Sequence, residues 1–190
     1  MNILAIDTTS TGLSIALVKG EESHYFTKEI GKSGHSATLM PQIDDMLKSH
    51  CVSVQNLDAV AVNVGPGSFT GIRIGVSAMT AIAFATGAKR IAVTSFDLIA
   101  HQRGEILAAV DAGDGNLYLA KCRNGKVLET SFCEASDAAK ISGAVFTTLN
   151  DVGQTLAEVV KEKAQNGEYV NVFEPFYMRK SQAEREKDEV

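Results

Sequence analysis

At 190 residues the chain has room for one full domain or two small lobes, and 45% hydrophobic with 22% charged residues is the balance of an ordinary globular protein. A formal net charge of -5 argues against an autonomous nucleic-acid binder, because neutralising phosphates takes clustered Lys and Arg. Three cysteines, Cys51, Cys122 and Cys133, have no CxxC spacing and leave an odd thiol, so neither a disulfide framework nor a zinc site is indicated and a reducing cytoplasm is the expected compartment.

The opening MNILAIDTTS reaches Asp7 without a basic region or a long apolar run, and reads as a first strand rather than a signal peptide. Residues 2–7 and 13–19 are apolar, β-branched runs joined by a Thr/Ser/Gly turn, and Lys19-Gly20-Glu21 turns the chain into a third strand near 23–30. Leu39, Met40, Ile43, Met46 and Leu47 then share one helical face, with Pro41 near the first turn. A buried strand at 57–63 leads into GPGSFTGIRIG and a helix over 71–87, closed by Gly87.

A strand at 91–94 and a short helix near 96–103 follow. Three more strands read at 106–111, 116–123 and 126–133, with Asp114-Gly115 and Asn124-Gly125 as hairpin turns. A short helix at 136–141, a strand at 144–147 and a helix at 151–165 complete a second βββαβα order. Each copy opens on a strand ending in aspartate, Asp7 and Asp111. Two lobes, 1–90 and 91–179, and a charged tail at 180–190 are therefore expected.

GPGSFTGIRIG is not a P-loop, which needs Lys and Ser or Thr after its last glycine where Ile72 and Arg73 stand. Thr70 likewise occupies the place of the third glycine of a dinucleotide fingerprint. What remains is a strand, a tight turn, Ser68 or Thr70 as N-cap, and a helix with Gly71 and Gly75 one turn apart. Those glycines permit close backbone approach at about 1 kcal/mol of helix propensity each. The helix carries one charge, Arg73, so it is buried within the chain or covered by another.

The paired aspartates allow two readings. Asp7 caps a turn and Asp114-Gly115 is a hairpin turn, or Asp7 and Asp111 flank a cleft in which a magnesium nucleotide contacts Asp7, Asp111 and Gly113. Thr8 and Thr9 stand where a phosphate loop favours glycine. The four histidines, His24, His35, His50 and His101, include no i, i+4 pair, and no Gly-x-Ser-x-Gly elbow occurs, so no metal and no catalytic residue is assigned.

MNILAIDTTSTGLSIALV, HSATLMPQIDDML, LDAVAVNVGPGSFTGIRIG, AAVDAGDGNLYLA and EPFYMRK together resemble the TsaB/YeaZ family. The resemblance implies an α/β, actin-like ATPase (ASKHA) fold of two ribonuclease-H-like lobes, and the short run between Asn150 and Pro175 departs from it by shortening the second lobe. It also implies a catalytically silent, cytoplasmic subunit without cofactor. Such a subunit supports threonylcarbamoyl transfer to adenosine 37 of ANN-decoding tRNAs, beside the catalytic TsaD and the ATPase TsaE. Alone it pairs with itself, and it meets tRNA only through the complex and no membrane. Carried onto this chain, the pairing helices present Leu39, Ile43, Met46 and Leu47, and Gly71, Gly75, Ala78 and Ile82. The rival expectation is an active ATP-dependent phosphotransferase or ATPase of the same fold. A metalloprotease, the older reading of the wider group, finds no catalytic residues in the sequence.

Overall fold

The computed structural model describes residues 1–30, 34–138, 140–141 and 152–179. Its first sheet is made by β1 (Asn2–Asp7), β2 (Gly12–Lys19), β3 (Glu22–Glu29), β4 (Ala59–Asn63) and β5 (Lys89–Val93), in the order β3-β2-β1-β4-β5. The hairpin-linked β1, β2 and β3 run antiparallel, whereas β4 lies parallel to β1 and β5 parallel to β4. Parallel pairing needs a crossover, and α1 (His35–Ser49) and α2 (Phe69–Thr86) supply it on one face. The sheet is therefore covered on both sides, which is why β1 and β4 read as continuous apolar runs.

On the α1 and α2 face, Leu4, Ile6, Ile15 and Val62 meet Leu39, Ile43, Met79 and Ile82. On the opposite face, Ile3, Ala5, Val18 and Ile91 meet Leu156, Ala157 and Val160 of α5 (Val152–Gln165). The sequence assigns this last helix to the second lobe, but its apolar stripe closes the face of the first sheet that α1 and α2 leave open. The first lobe also extends past residue 90, since β5 is its fifth strand.

Between the sheets, α3 (Ser95–Ala100) starts on a capping box in which the Thr94 hydroxyl accepts from the Asp97 backbone N–H and the Asp97 carboxylate accepts from that of Thr94. Its Phe96, Ile99 and Ala100 pack on Ala108, Ala120 and Cys122 of the second sheet, where burial pushes the Cys122 thiol pKa up. That sheet is β6 (Glu105–Gly113), β7 (Asn116–Arg123) and β8 (Lys126–Glu134), all antiparallel, followed by the short α4 (Ala135–Ala138). The strand expected at 144–147 and the tail at 180–190 lie outside the described residues. Pro41 falls inside α1, which begins earlier than the apolar pattern implies.

Candidate functional site

The two sheets face each other across a cleft of about 680 Å³. Thr9, Ser10 and Thr11 line it from the β1–β2 turn, Gly67 and Ser68 from the β4–α2 turn, and Asp111 and Gly113 from the end of β6. The chain's final described residues, Phe176 to Arg179, close one side. Ser68 is the N-cap of α2, its hydroxyl accepting from the Gly71 N–H at 3.2 Å.

The two aspartates have different roles. Asp111 is exposed, and its Oδ1 accepts from the Gly113 N–H at 2.8 Å at the cleft wall. Asp7 is 6% exposed and outside the lining. Its Oδ1 accepts from the Thr9 backbone N–H and hydroxyl, both at 2.8 Å, and its Oδ2 from Asn63 Nδ2 at 2.8 Å. Asn63 also donates to Ser95 Oγ at 3.0 Å and accepts from the Gly65 N–H at 3.0 Å, while Ser95 donates to the Pro66 carbonyl at 2.7 Å. Asp7 thus anchors the floor that fixes both turns and the start of α3. The structure corrects its expected place as a nucleotide contact, because Asp7 lies outside the cleft lining and three internal donors hold its carboxylate.

The pairing residues need the same correction. Leu39, Ile43, Met46, Leu47 and Ile82 lie in the core between helices and sheet, none more than 7% exposed. Gly71 and Gly75 press against the chain itself. A Cβ on Gly71 would overlap the Thr8 carbonyl, and one on Gly75 would meet Thr8 Oγ1 at 2.5 Å and Val62 Cγ2 at 3.2 Å. Their missing side chains let α2 sit on the end of β1. Of the expected set only Ala78 is partly exposed. The outer apolar groups are Phe84 on α2, 86% exposed, and Met40 on α1, 50% exposed. Among the described residues α2 is also the helix long and apolar enough to cross a membrane, a test that core helices pass as well.

The sequence reading missed the grip of the C-terminal segment on the cleft. Phe173 is buried in the first core and the Phe176 N–H donates to the Val64 carbonyl at 2.8 Å. Tyr177 packs against Phe69 with ring centroids 4.7 Å apart and planes tilted by 31°, and its hydroxyl accepts from Arg73 Nε at 3.3 Å. Arg179 lies over the Phe132 ring of β8 at 4.8 Å. Asn63, a polar residue ending an apolar strand, was the available signal for the buried network.

A larger cleft of about 1080 Å³ opens on the other side, beside α5 and the β7–β8 turn. Its ionisable groups satisfy one another. Lys163 lies 3.4 Å from Asp97 and 3.2 Å from Glu168, and His101 lies 3.1 Å from Glu158 and 3.6 Å from Glu162. Burial works against the Lys163 charge, yet the two acids prevail and hold its pKa above the ordinary value. That cleft offers a ligand few uncommitted charges, so the interlobe cleft is the stronger candidate. Among the described residues no three His, Cys, Asp or Glu side chains converge as metal ligands.

Residues 27–163 match the family model described as TsaD: tRNA N6-adenosine threonylcarbamoyltransferase. The tRNA threonylcarbamoyladenosine biosynthesis protein TsaB of Haemophilus influenzae is 31% identical over 134 residues, 67% of this chain and 56% of that protein. TsaB of Bacillus subtilis is 35% identical over 133 residues, 66% of this chain and 57% of that protein. Two solved Pseudomonas aeruginosa structures share the fold. YeaZ superposes with a TM-score of 0.78 at 20% identity, covering 93% of this chain and 99% of that chain. An uncharacterized protein with similarity to peptidase YEAZ also gives 0.78, at 23% identity over 94% of this chain and 99% of that chain. The chain belongs to the TsaB/YeaZ family. It spans little more than half the length of the curated relatives it matches. The fold shared with the two Pseudomonas aeruginosa structures is the one described above, with its β3-β2-β1-β4-β5 sheet and a second, three-stranded sheet.

Proposed function

We propose that this chain serves tRNA threonylcarbamoyladenosine biosynthesis as a noncatalytic cytoplasmic subunit, docking a TsaD-like catalytic protein through the outer faces of α1 and α2. One observation carries the docking face. Phe84 stands 86% exposed on a helix whose single charged side chain is Arg73, and a large apolar residue left in water on such a helix is a reason for a partner. The names of its relatives support the pathway. In this reading two copies share the same face when no catalytic partner is present, TsaE joins the assembled pair, and tRNA is held by the complex.

The test is co-purification with the cognate TsaD, together with modified adenosine formed from tRNA, ATP, threonine and bicarbonate with and without the chain. Phe84→Glu is expected to lose TsaD and product together while the monomer stays folded. Unchanged affinity in Phe84→Glu rejects the docking face, and product formed equally well without the chain rejects the pathway.

A second reading, an ATP-dependent phosphotransferase, draws on Asp111 and Gly113 at the cleft wall. It requires magnesium-dependent ATP binding that Asp111→Asn abolishes. Calorimetry showing no binding at millimolar ATP rejects it.

A further inference from the structure

The segment from Phe173 to Arg179 runs into the interlobe cleft and is held in two different ways. Its first part is rooted. Phe173 is buried in the core of the first lobe, and the Phe176 N–H donates to the Val64 carbonyl at 2.8 Å. The Phe176 ring packs against that core and also against the core that α3 shares with the second sheet, with its centroid 6.4 Å from that of Phe96 and the rings edge to face. The root therefore sits where the two lobes meet.

The tip is held at the surface, one residue on each wall. Tyr177 goes to the first wall, where it packs on Phe69 and accepts from Arg73 of α2. Arg179 goes to the second, where its guanidinium lies 4.8 Å from the centre of the Phe132 ring of β8. Two residues of extended chain span about 7 Å, so a short link ties one wall to the other, and a cleft that opened wider would break one contact or the other. Tyr177 is 39% exposed, Phe132 is 42% exposed and Arg73 is exposed. Stacked and cation–π contacts are weak where water reaches them. A buried root with a surface-held tip is the arrangement of a segment that lets go locally while the fold stays intact.

We propose that residues 177–179 are a clasp across the interlobe cleft, closed by Tyr177 on α2 and by Arg179 on β8, and that the clasp sets how far the two sheets stand apart. Released at either end, it lets the second sheet swing about α3, so that the turn bearing Ser68 and the strand end bearing Asp111 separate. Arg73 and Phe84 lie about three turns apart on the same exposed face of α2, so a protein docked there as proposed above reaches the clasp, although the clasp itself does not rest on that docking.

The experiment is pulsed electron paramagnetic resonance on the full chain with nitroxide labels at Lys28→Cys, near the end of β3, and Ser131→Cys, on β8. Both sites are exposed. Cys51→Ser and Cys133→Ser remove the other accessible thiols, while Cys122 is buried and stays. Excess unlabelled chain removes distances between molecules. The parent is expected to give one narrow distance. Tyr177→Ala and Arg179→Ala should each broaden it and lengthen it by more than about 2 Å, the scale that separates hinge motion from side-chain adjustment. The double variant should open no further than the wider single one, because a clasp undone at one end is already open. Phe132→Ala removes the Arg179 contact from the other side and should match Arg179→Ala. An unchanged distance in either single variant, effects that add in the double variant, or a Phe132→Ala chain that stays closed overturns the proposal. These contacts lie at the surface, so the variants keep the fold, and unchanged far-UV circular dichroism checks it.

Discussion

The Thr8 hydroxyl donates to the Gly71 carbonyl at 2.7 Å, and the Thr8 carbonyl stands where a Gly71 side chain would begin. The first turn of α2 is thereby locked to the end of β1, with backbone against backbone and no side chain able to yield. Gly71→Ala is expected to cost about 3 kcal/mol, the upper range for overpacking, because the group that the methyl would meet is the Thr8 main chain. Urea denaturation followed by circular dichroism measures it. A loss below about 1 kcal/mol would mean that α2 shifts freely on β1.

Asn63 joins Asp7, Ser95 and Gly65 with hydrogen bonds of 2.8 to 3.0 Å in a site closed to solvent. Asn63→Ala strips the Asp7 carboxylate of one donor and orphans the Gly65 N–H. Buried groups left unsatisfied cost about 1–3 kcal/mol, and more where charged, so a loss of about 3 kcal/mol is expected. Thermal unfolding of Asn63→Ala measures it, and a loss below about 1 kcal/mol would mean that the Asp7 carboxylate and the Gly65 N–H find other partners.

Burial separates Ile43, which the resemblance assigned to the partner face, from Phe84, which it did not. Ile43, 2% exposed, sits against the sheet, and Ile43→Glu is expected to cost more than about 4 kcal/mol and to unfold the chain. Phe84→Glu, at a solvent-facing site, should change stability by less than about 0.5 kcal/mol. Denaturation midpoints of the two variants decide the point, and a Phe84→Glu variant that unfolds would place that ring in the core.

The sequence made these elements legible because apolar periodicity marks a face that avoids water. It does not mark what covers that face. The pattern puts Leu39, Met40, Ile43, Met46 and Leu47 on one stripe, and β1 and β2 take up all of it inside the chain except Met40, which faces solvent. The apolar side chains left outside, Met40 and Phe84, are recognised only once burial is measured. Helix α5 shows the same limit at longer range. Its Leu156, Val159 and Val160 announce a buried face, while its docking on the first sheet depends on which side α1 and α2 had left open. In the cleft, Asp111 and Gly113 were legible from the hairpin, whereas Tyr177 reaches Phe69 and Arg73 of α2 from over a hundred residues along the chain, which no local spacing connects.

Lys163 ties α5 to the capping box of α3 through Asp97 and to the following turn through Glu168. Its side chain is 21% exposed, between the surface and buried limits, and Lys163→Met is expected to cost about 1–2 kcal/mol at neutral pH. Because its folded pKa is raised, the stabilisation is fully present below the unfolded lysine value and is lost as pH rises through the folded one. The melting-temperature difference between wild type and Lys163→Met should therefore hold from pH 7 to about 10 and shrink above it. A difference that stays constant to high pH would remove the ion pairs as its cause.

At the end of α1 the His50 ring stacks on His24 of β3, with centroids 3.7 Å apart and planes 17° from parallel. Burial lowers the His50 pKa first, and the neighbouring His24 and Lys19 charges add to it. The unfolded chain then takes up the proton before the folded one does. Stability is undiminished above the ordinary histidine value and declines as pH falls from about 6.5 through the depressed folded value. The cationic-friendly C-terminus of α1 and Glu22, 3.7 Å from His24, oppose this and keep the effect small. His50→Gln removes the titrating ring while keeping a polar side chain. Its unfolding free energy between pH 7 and 5 should fall less steeply than that of the wild type, and equal slopes would show that the stack does not resist protonation.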